Sequence, residues 1–337
     1  MDSRSNAATV FLADAGWGAA DRVFLAGDAS DRRYERVRLA NKTAVLMDAP
    51  PGKGDDPADF IAIGAHLNAL GLSAPQILAK DLAQGFLLIE DLGDFLFARL
   101  VAEEPQREAE LYAAATDVLL HLQSQPPPQM LGDLRAEGWA QAAGFALEWY
   151  RRAIAGDAGD VKGFTEILTR LIKVHADGPR VFILRDYHAE NLLWLPDRTG
   201  IARVGLLDFQ LGQLGQPAYD LVSLLQDARR DVSQATEAAM IARFRGEDAP
   251  NEAFSASYAT IGAQRALRIL GIFTRLCLVA GKGQYLALIP RVWAQLQRNL
   301  AHPALADLAE FCAFYLPAPT PEALERIRAQ CGTNLTR

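Results

Sequence analysis

Three oxygen-bearing side chains stand near the middle of the sequence at intervals that suit one kind of chemistry. Asp186 precedes Asn191 by five positions, and Asp208 follows Asn191 by seventeen. Carboxylate and amide oxygens are hard ligands, and Mg²⁺ in proteins takes a few such ligands together with water and substrate phosphates. The three residues therefore predict a divalent-cation site at which a phosphate group is handled.

The apolar segments around these residues indicate how the chain could bring them together. Three short apolar runs typical of buried strands occupy residues 181–184, 192–195 and 204–207. Asp186 and Asn191 lie on the loop between the first two runs, and Asp208 directly follows the third. Because strands hold both ends of such a loop, we expect the three side chains to converge on one cavity.

The same part of the chain resembles kinases. The order of the three oxygen ligands is similar to the H-R-D-x-x-x-x-N and D-F-G motifs of protein kinases. Residues 185–193 resemble more closely the H-G-D-x-H-x-x-N-L motif of aminoglycoside and choline phosphotransferases, because His188 follows the aspartate by two positions. Residues 217–222 resemble the later G-x-P-x-x-D-L segment of these enzymes.

Within that superfamily, further segments resemble the anomeric kinases of cell-wall amino sugars. These segments are residues 47–51, 86–93 and 205–210, and the resemblance covers about residues 20–300. It implies ATP-dependent transfer of the γ-phosphoryl group, with Mg²⁺, to the C1 hydroxyl of N-acetylmuramate and N-acetylglucosamine in peptidoglycan recycling. It also implies a two-lobed, protein-kinase-like α+β fold. A small β-rich nucleotide-binding lobe would span residues 1–92, and a larger, mostly helical catalytic and substrate-binding lobe would span residues 93–337.

The resemblance assigns roles to the residues of the motifs. Asp186 would accept the proton of the attacking sugar hydroxyl or orient that hydroxyl, and His188 would orient the loop. Asn191 and Asp208 would hold Mg²⁺ against the nucleotide phosphates. Asp220 would brace the loop by capping its backbone N–H groups from the helix that Asp220 begins.

The resemblance also places the nucleotide in the first lobe. Gly27 and Ser30 would belong to the turn over the phosphates, although Gly27 stands there without the spaced glycine triplet of other kinases. Glu90 and Leu92 would bound the hinge whose backbone groups read adenine.

The sequence departs from the general kinase pattern on the third strand. That strand normally supplies a lysine or arginine to the phosphates, and here Met47 stands at the matching position. The helix that normally answers with a glutamate has none over residues 61–66. A lone buried charge would be costly, so the loss of both partners is self-consistent. We therefore expect another cation to meet the phosphates, with Arg33 as first choice and Lys53 as second.

Hydrophobic periodicity along the chain agrees with the implied fold. The first ninety residues predict strands at 22–27, 36–39, 43–47 and 85–90 around a helix at 59–70. Apolar residues at helical spacing later predict helices at 108–123, 258–279 and 292–300. We therefore expect the order β-β-β-α-β, followed by a mostly helical region with a few short strands.

The amino-acid composition indicates what kind of protein this is and where in the cell it is expected. Of 337 residues, 50% are hydrophobic and 22% are charged, which is typical of a folded globular protein. The net charge of −7 gives no overall attraction for nucleic acid or an anionic membrane. Three observations favour a cytoplasmic location. The three cysteines are widely spaced, no basic leader with an apolar core occurs, and no apolar run is long enough to cross a membrane. We expect a monomer that acts on a small molecule.

Two alternatives stay open. Another small-molecule kinase of the same fold could act on an aminoglycoside, choline or homoserine. Acidic residues that could line a pocket for such cations are Glu137, Glu148, Asp157 and Asp160. A non-catalytic nucleotide-binding scaffold would explain the missing lysine, but it predicts degraded catalytic or metal-binding positions, and those positions are intact.

Three arginines in the second half of the chain could bind a ligand or could have only a structural role. Arg275 lies in an apolar helical stretch, where a charge needs a partner. That partner could be a carboxylate of the fold or the lactyl carboxylate of a muramate. Arg229 and Arg230 are interpreted as part of a solvated face, with phosphate or carboxylate binding as the alternative.

Overall fold

The computed structural model describes residues 3–27, 32–129, 131–246 and 251–333. The predicted α+β class is confirmed, because an antiparallel sheet comes early in the chain and helices make up most of the remainder. The chain divides into two compact units, which are Met1–Pro128 with Leu184–Gly212 (unit 1) and Gln129–Ile183 with Gln213–Arg337 (unit 2). The lobe boundary at residue 92 is a different division and stays a prediction.

Unit 1 is built around an antiparallel sheet whose strands lie in the order β1-β2-β3-β5-β4. The strands are β1 (Asp21–Ala26), β2 (Arg33–Leu39), β3 (Lys42–Asp48), β4 (Ile77–Asp81) and β5 (Phe86–Glu90). Helix α1 (Ser3–Asp14) precedes the sheet, and α2 (Pro57–Ala69) lies between β3 and β4 in the chain. Asp56 caps α2 by accepting a hydrogen bond from Ala58 N at 2.8 Å, which satisfies one N–H of its first turn.

Strand register sorts the side chains of the sheet onto two faces. Tyr34 lies opposite Met47, and the next residue, Glu35, lies opposite Leu46. Because successive side chains of a strand point to opposite faces, Arg33 shares the face of Leu46. Helix α1 covers that face, here called the α1 face, with a core of Ala8, Phe11, Leu12, Val37, Ala44, Leu46, Phe86 and Leu88. Tyr34 and Met47 belong to the opposite face.

A short hairpin completes unit 1. The elements that follow the sheet in this unit are α3 (Phe97–Glu103), α4 (Glu108–Gln123), β7 (Leu192–Trp194) and β8 (Val204–Leu206). Strands β7 and β8 pair antiparallel, and Leu206 N donates to Ser73 O at 2.9 Å. A Cβ at Gly205 would lie 3.2 Å from Leu92 Cδ1, so the residue after β5 approaches the hairpin closely.

Unit 2 is mainly helical. Strands β6 (Val181–Ile183) and β9 (Gln213–Gly215) pair antiparallel. The helices are α5 (Arg135–Ala143), α6 (Arg152–Ala155), α7 (Val161–His175), α8 (Ala218–Leu225), α9 (Gln234–Arg245), α10 (Asn251–Ala280), α11 (Ile289–Leu300), α12 (Ala306–Tyr315) and α13 (Pro321–Arg328), with a π-helical segment at Ala146–Arg151. The rings of Trp139 and Tyr219 pack at a tilt with centroids 4.7 Å apart, which joins α5 to α8.

The predicted strands and helices are confirmed, and α4 has the predicted bounds. The order β-β-β-α-β needs a correction, because β4 stands between α2 and β5. Strand β4 lies at the edge of the sheet and alternates between half-buried and exposed residues, so its apolar run is limited to Ile77, Leu78 and Ala79 and is too short to predict a buried strand. Helix α1 and strand β9 were also not predicted. Over the described ranges, no helix combines the length and apolar content needed to cross a membrane.

Candidate active site

The loop after β6 holds Asp186, His188 and Asn191 in a fixed arrangement. Asn191 Nδ2 donates to Asp186 O at 2.9 Å, and Asn191 N donates to His188 O at 2.8 Å. Asn191 Nδ2 also lies 3.4 Å from His188 Nε2. The amide nitrogen of Asn191 is thereby engaged inside the loop, so its amide oxygen is the atom that can face a ligand.

Tyr187 anchors this loop to the core of unit 1. Its ring is 2% exposed, and its hydroxyl donates to Ala115 O of α4 at 2.8 Å. Asp186, by contrast, is only half-buried. Arg185, just before it, has φ +70°, a left-handed conformation that costs a side-chain-bearing residue of order 1–3 kcal/mol. Such strain clusters at functional sites, and here it lies beside the predicted base.

Asp208 follows β8 directly and also has a positive φ, +54°. Leu207 N donates to Asn191 O at 2.9 Å, which ties the end of β8 to the loop. The Asp208 side chain reaches solvent, yet the protein around its carboxylate raises its pKa, mainly by desolvation. The negative charge of Asp186 adds to the rise, so these two carboxylates share one site. The structure therefore brings Asp186, Asn191 and Asp208 together.

A buried arginine that the sequence did not single out completes this site. Arg32 is 3% exposed, and its Nη2 donates to Asp55 Oδ2 at 3.2 Å. Gln210 Nε2 donates to Asp208 Oδ1 at 2.8 Å and lies 3.5 Å from Asp55 Oδ2. The positive charge of Arg32 opposes the rise in the pKa of Asp208. It also opposes the rise that burial causes in the pKa of Tyr34.

Arg33, the predicted phosphate-binding cation, is not brought to this site. Strand register places it on the α1 face, opposite Asp48. Its side chain is 60% exposed, with Nε 4.0 Å from Glu35 Oε1 and the guanidinium 5.6 Å from the ring of Phe24. Lys53, the second choice, is exposed as well. The register of β2, which the sequence did not specify, determines which of the two adjacent arginines, Arg32 or Arg33, lies at the candidate site.

Three further residues, Met47, Gly27 and Ser30, were predicted to lie near the nucleotide. Met47 is fully buried on the face of Tyr34. A Cβ at Gly27 would lie 3.3 Å from Arg32 O, so the absence of a side chain lets the ends of β1 and β2 come close. Ser30 lies outside the described residues.

The predicted hinge follows β5. Glu90 N donates to Gln76 O at 2.8 Å, so this N–H is already engaged with the segment before β4. The Glu90 carboxylate pairs with Arg198. The side chain of Leu92 lies close to Gly205 of β8, and the adenine-binding role of the hinge stays a prediction.

Two predicted residues lie in unit 2. Asp220 is fully buried in the first turn of α8, so it lies in the helix without being its N-cap, which is Pro217. Arg275 lies on α10, where it is exposed, with its guanidinium 5.7 Å from the ring of Trp149. The expectation that Arg275 is a buried charge in need of a partner is wrong, because this face of α10 reaches solvent. The loop-bracing and substrate roles stay predictions.

The donors at the candidate site suit Mg²⁺. Asp208 offers a carboxylate and Asn191 an amide oxygen, and the second carboxylate of Asp186 makes an added cation favourable. Among the described residues, no group of three or more His, Cys, Asp or Glu side chains is arranged to hold a metal ion. A site with only two protein ligands fits a metal that takes its remaining ligands from phosphates and water.

Comparison with known proteins defines the class of protein. The phosphotransferase enzyme family (APH) matches residues 21–258. The chain is 40% identical to the N-acetylmuramate/N-acetylglucosamine kinase of Caulobacter vibrioides, over 94% of this chain and 98% of that protein. It is 31% identical to the enzyme of the same name from Pseudomonas aeruginosa, over 90% and 92% of the two chains. The chain belongs to the phosphotransferase enzyme family and is a phosphotransferase.

Solved structures share the fold. The microcompartment-associated aminopropanol kinase matches with a TM-score of 0.60 at 16% identity, over 89% of this chain and 99% of that chain. Choline kinase LicA from Streptococcus pneumoniae matches with a TM-score of 0.55 at 16% identity, over 85% and 94%. These similarities establish the kinase-like fold that the sequence predicted.

Proposed function

We propose that this phosphotransferase is an ATP-dependent kinase that transfers the γ-phosphoryl group to the C1 hydroxyl of N-acetylmuramate and N-acetylglucosamine. The observation that carries the reaction type is the convergence of Asp186, Asn191 and Asp208 on one site. The acceptor is supported by relatives that bear the names of both sugars. Such an enzyme would serve peptidoglycan recycling in the cytoplasm.

The residues of the loop divide the work of the reaction. Asp186 is partly exposed, so its carboxylate can reach an acceptor hydroxyl, orient it and accept its proton as the new P–O bond forms. The hydrogen bond from Asn191 Nδ2 to Asp186 O and the anchor of Tyr187 hold that carboxylate in place. His188 supports the same turn through its backbone oxygen.

Asn191 and Asp208 would hold Mg²⁺ through their side-chain oxygens. The bound cation would neutralise charge that shifts among the phosphate oxygens during transfer. Gln210 orients the Asp208 carboxylate through its 2.8 Å hydrogen bond and leaves the second carboxylate oxygen, Oδ2, for a ligand.

Arg32 is the side chain that we assign to the nucleotide phosphates in place of the missing strand lysine. It is close enough to Asp208 to influence its pKa, whereas Arg33 lies on the other face of the sheet. Asp55 holds the guanidinium at 3.2 Å. The Arg32–Asp55 pair thus supplies what the lysine–glutamate pair supplies elsewhere in the fold, a cation fixed by a carboxylate.

The acidic residues that could favour a cationic aminoglycoside are largely engaged. Glu137 pairs with Lys173, and Asp157 lies 2.9 Å from Arg151. Asp160 caps α7 by accepting from Gly163 N. Two of the four carboxylates are thus matched by cations within unit 2 and a third is used as a helix cap, whereas Glu148 is exposed. This engagement supports a neutral or anionic acceptor over a polycation.

A phosphate-transfer panel tests the proposal. The purified chain is incubated with Mg²⁺ and ATP plus N-acetylmuramate, N-acetylglucosamine or kanamycin, and ³¹P and ¹H NMR locate the new ester. We expect a phosphate coupled to the anomeric proton with both sugars and no product with kanamycin. An ester at C6, or turnover with kanamycin alone, would replace the acceptor assignment. ATP binding without consumption by any acceptor would favour the scaffold alternative.

A further inference from the structure

The end of helix α10 is capped by the segment that follows α13, residues 329–333, here called the C-terminal segment. The last carbonyl oxygens of a helix lack partners within the helix. One of them, Cys277 O, accepts a hydrogen bond from Gly332 N at 2.9 Å. Gln330 Nε2 of the same segment donates to Ala153 O of α6 at 2.8 Å. The C-terminal segment is therefore held against two helices of unit 2.

This contact brings two cysteines together. Both are free thiols, and Cys331 Sγ donates to Cys277 O at 3.1 Å, across 54 positions of the chain. Burial raises the pKa of Cys277 to about 12, and a hydrogen bond with the Cys331 thiol contributes to the rise. The Cys331 sulfur thus contacts both the carbonyl oxygen and the thiol of Cys277. Two cysteines in such contact can be joined by a disulfide without a large movement of the backbone.

The two thiols differ in their access to solvent. Cys277 is fully buried in α10, whereas Cys331 is half-buried. A Cβ at Gly283 would lie 3.5 Å from Cys331 Sγ, so the glycine leaves that side of the sulfur without a covering side chain. A small oxidant can therefore reach Cys331 before it reaches Cys277.

A positive charge lies beside this pair of thiols. The guanidinium of Arg328, at the end of α13, acts against the rise in the pKa of Cys277. Nearby cations favour the thiolate, which is the form of cysteine that reacts with oxidants. Cys312, the remaining cysteine, is buried in α12, and burial raises its pKa to about 12. An accessible sulfur, a second thiol and a nearby cation thus come together at Cys331.

We propose that Cys277 and Cys331 are a redox-active pair that hydrogen peroxide converts into a disulfide, which ties the C-terminal segment to α10. The Cys331 thiolate attacks one peroxide oxygen, the O–O bond breaks, and the departing hydroxide takes up a proton to become water. The Cys277 sulfur then attacks the sulfenic acid on Cys331. An S–S bond forms, the S–O bond breaks, and the oxygen leaves as water with the proton of the Cys277 thiol. Two thiols and one hydrogen peroxide give one disulfide and two waters.

The properties of the pair favour a reversible modification. In a reducing compartment, disulfides are usually transient and redox-sensing, so both cysteines would be thiols until an oxidant arrives. Their contact makes the second step intramolecular, which favours attack by Cys277 over attack by a thiol from solution. Because the bond would close a loop across 54 positions, it should restrict the unfolded chain and stabilise unit 2.

Peptide mass spectrometry after oxidation tests this assignment. The reduced full chain is treated with a small molar excess of hydrogen peroxide, the remaining thiols are blocked with iodoacetamide in denaturant, and the chain is digested without reductant. We expect a cross-linked peptide that contains Cys277 and Cys331 and lacks two hydrogens, and Cys312 in its blocked form. Dithiothreitol should remove the cross-link. The oxidised chain should have a Tm about 3–10 °C above that of the reduced chain.

Two serine variants separate the pair from the third cysteine. Cys331→Ser changes a half-buried sulfur and should abolish both the cross-link and the rise in Tm, whereas Cys312→Ser should keep both. Recovery of Cys277 as a free thiol beside a sulfinic acid or an unaltered thiol at Cys331 would overturn the proposal, and so would a disulfide between two chains. A cross-link without a rise in Tm would contradict the tie to α10. The wild-type peptides decide the pairing even if Cys312→Ser does not fold.

Discussion

The proposed reaction depends on a few side chains, and Asp186 receives the proton. Its backbone oxygen is held by Asn191, and its carboxylate is partly exposed. Arg185 and Asp208 both adopt left-handed φ values next to it. The loop thus fixes the backbone on both sides of the site and leaves only the carboxylate to meet the acceptor.

Asp186→Asn should lower kcat about 10²- to 10⁴-fold, the usual contribution of a general base, with little change in KM for ATP. The amide keeps the shape of the side chain but cannot take the proton. The measurement is turnover of N-acetylglucosamine. Asp307→Asn, which changes an exposed carboxylate of α12, serves as the control and should keep wild-type kcat. A wild-type kcat in Asp186→Asn would remove this residue from the reaction.

Arg32→Ala should raise KM for ATP about 10- to 100-fold, because a charge-assisted hydrogen bond to phosphate is lost. Arg33→Ala is a control that differs by a single position. It removes the same side chain from the other face of the sheet, and its KM for ATP should stay near wild type. The reverse pattern would show that the β1–β2 turn presents Arg33, and not Arg32, to the phosphates.

At the scale of elements, α2 supports the loop that carries Asp208. The rings of Phe60 and Phe209 stack with centroids 4.8 Å apart, and a Cβ at Gly64 would lie 3.3 Å from the Phe209 ring. Phe209 directly follows Asp208, the proposed metal ligand. Helix α2 lacks the glutamate that other kinases use at the phosphate site. It nevertheless positions the loop of Asp208, because its side chains pack against Phe209.

Phe209→Leu should lower the free energy of unfolding by about 1–3 kcal/mol and also raise the Mg²⁺ concentration needed for half-maximal activity. The smaller side chain loses the stack on Phe60, so Asp208 is held less firmly. Phe164→Leu is the matched control, since Phe164 is also fully buried beside a phenylalanine, Phe311, but lies in unit 2. An equal Mg²⁺ effect in both variants would contradict the positioning role.

The elements and the loop motif could be predicted because their signals are local. The helical spacing of apolar residues predicts helix α4, and the separation of five positions between Asp186 and Asn191 identifies the loop motif. Arg32 could not be predicted, because it differs from Arg33 only in the register of β2. Sequence spacing shows which residues share a loop, but not which of two adjacent residues a strand turns toward the site.

At the scale of the whole molecule, unit 1 carries the residues of the proposed phosphoryl transfer. It holds the loop of Asp186, the proposed metal ligands and Arg32, all of which would act on the nucleotide and the transferred phosphate. Variants of these residues should therefore impair turnover of N-acetylmuramate and N-acetylglucosamine alike.

Thiol labelling reports on the packing of unit 2 as a whole. Burial raises the pKa of Cys277 and of Cys312 to about 12, so at pH 8 only about 10⁻⁴ of each is the reactive thiolate. Both side chains are also inaccessible, at 0% and 2% exposure, whereas Cys331 is half-buried. We expect iodoacetamide to label Cys331 first in the native enzyme, as mass spectrometry of peptides would show. Cys277 and Cys312 should react only once denaturant opens unit 2, and rapid native labelling of either would contradict this packing.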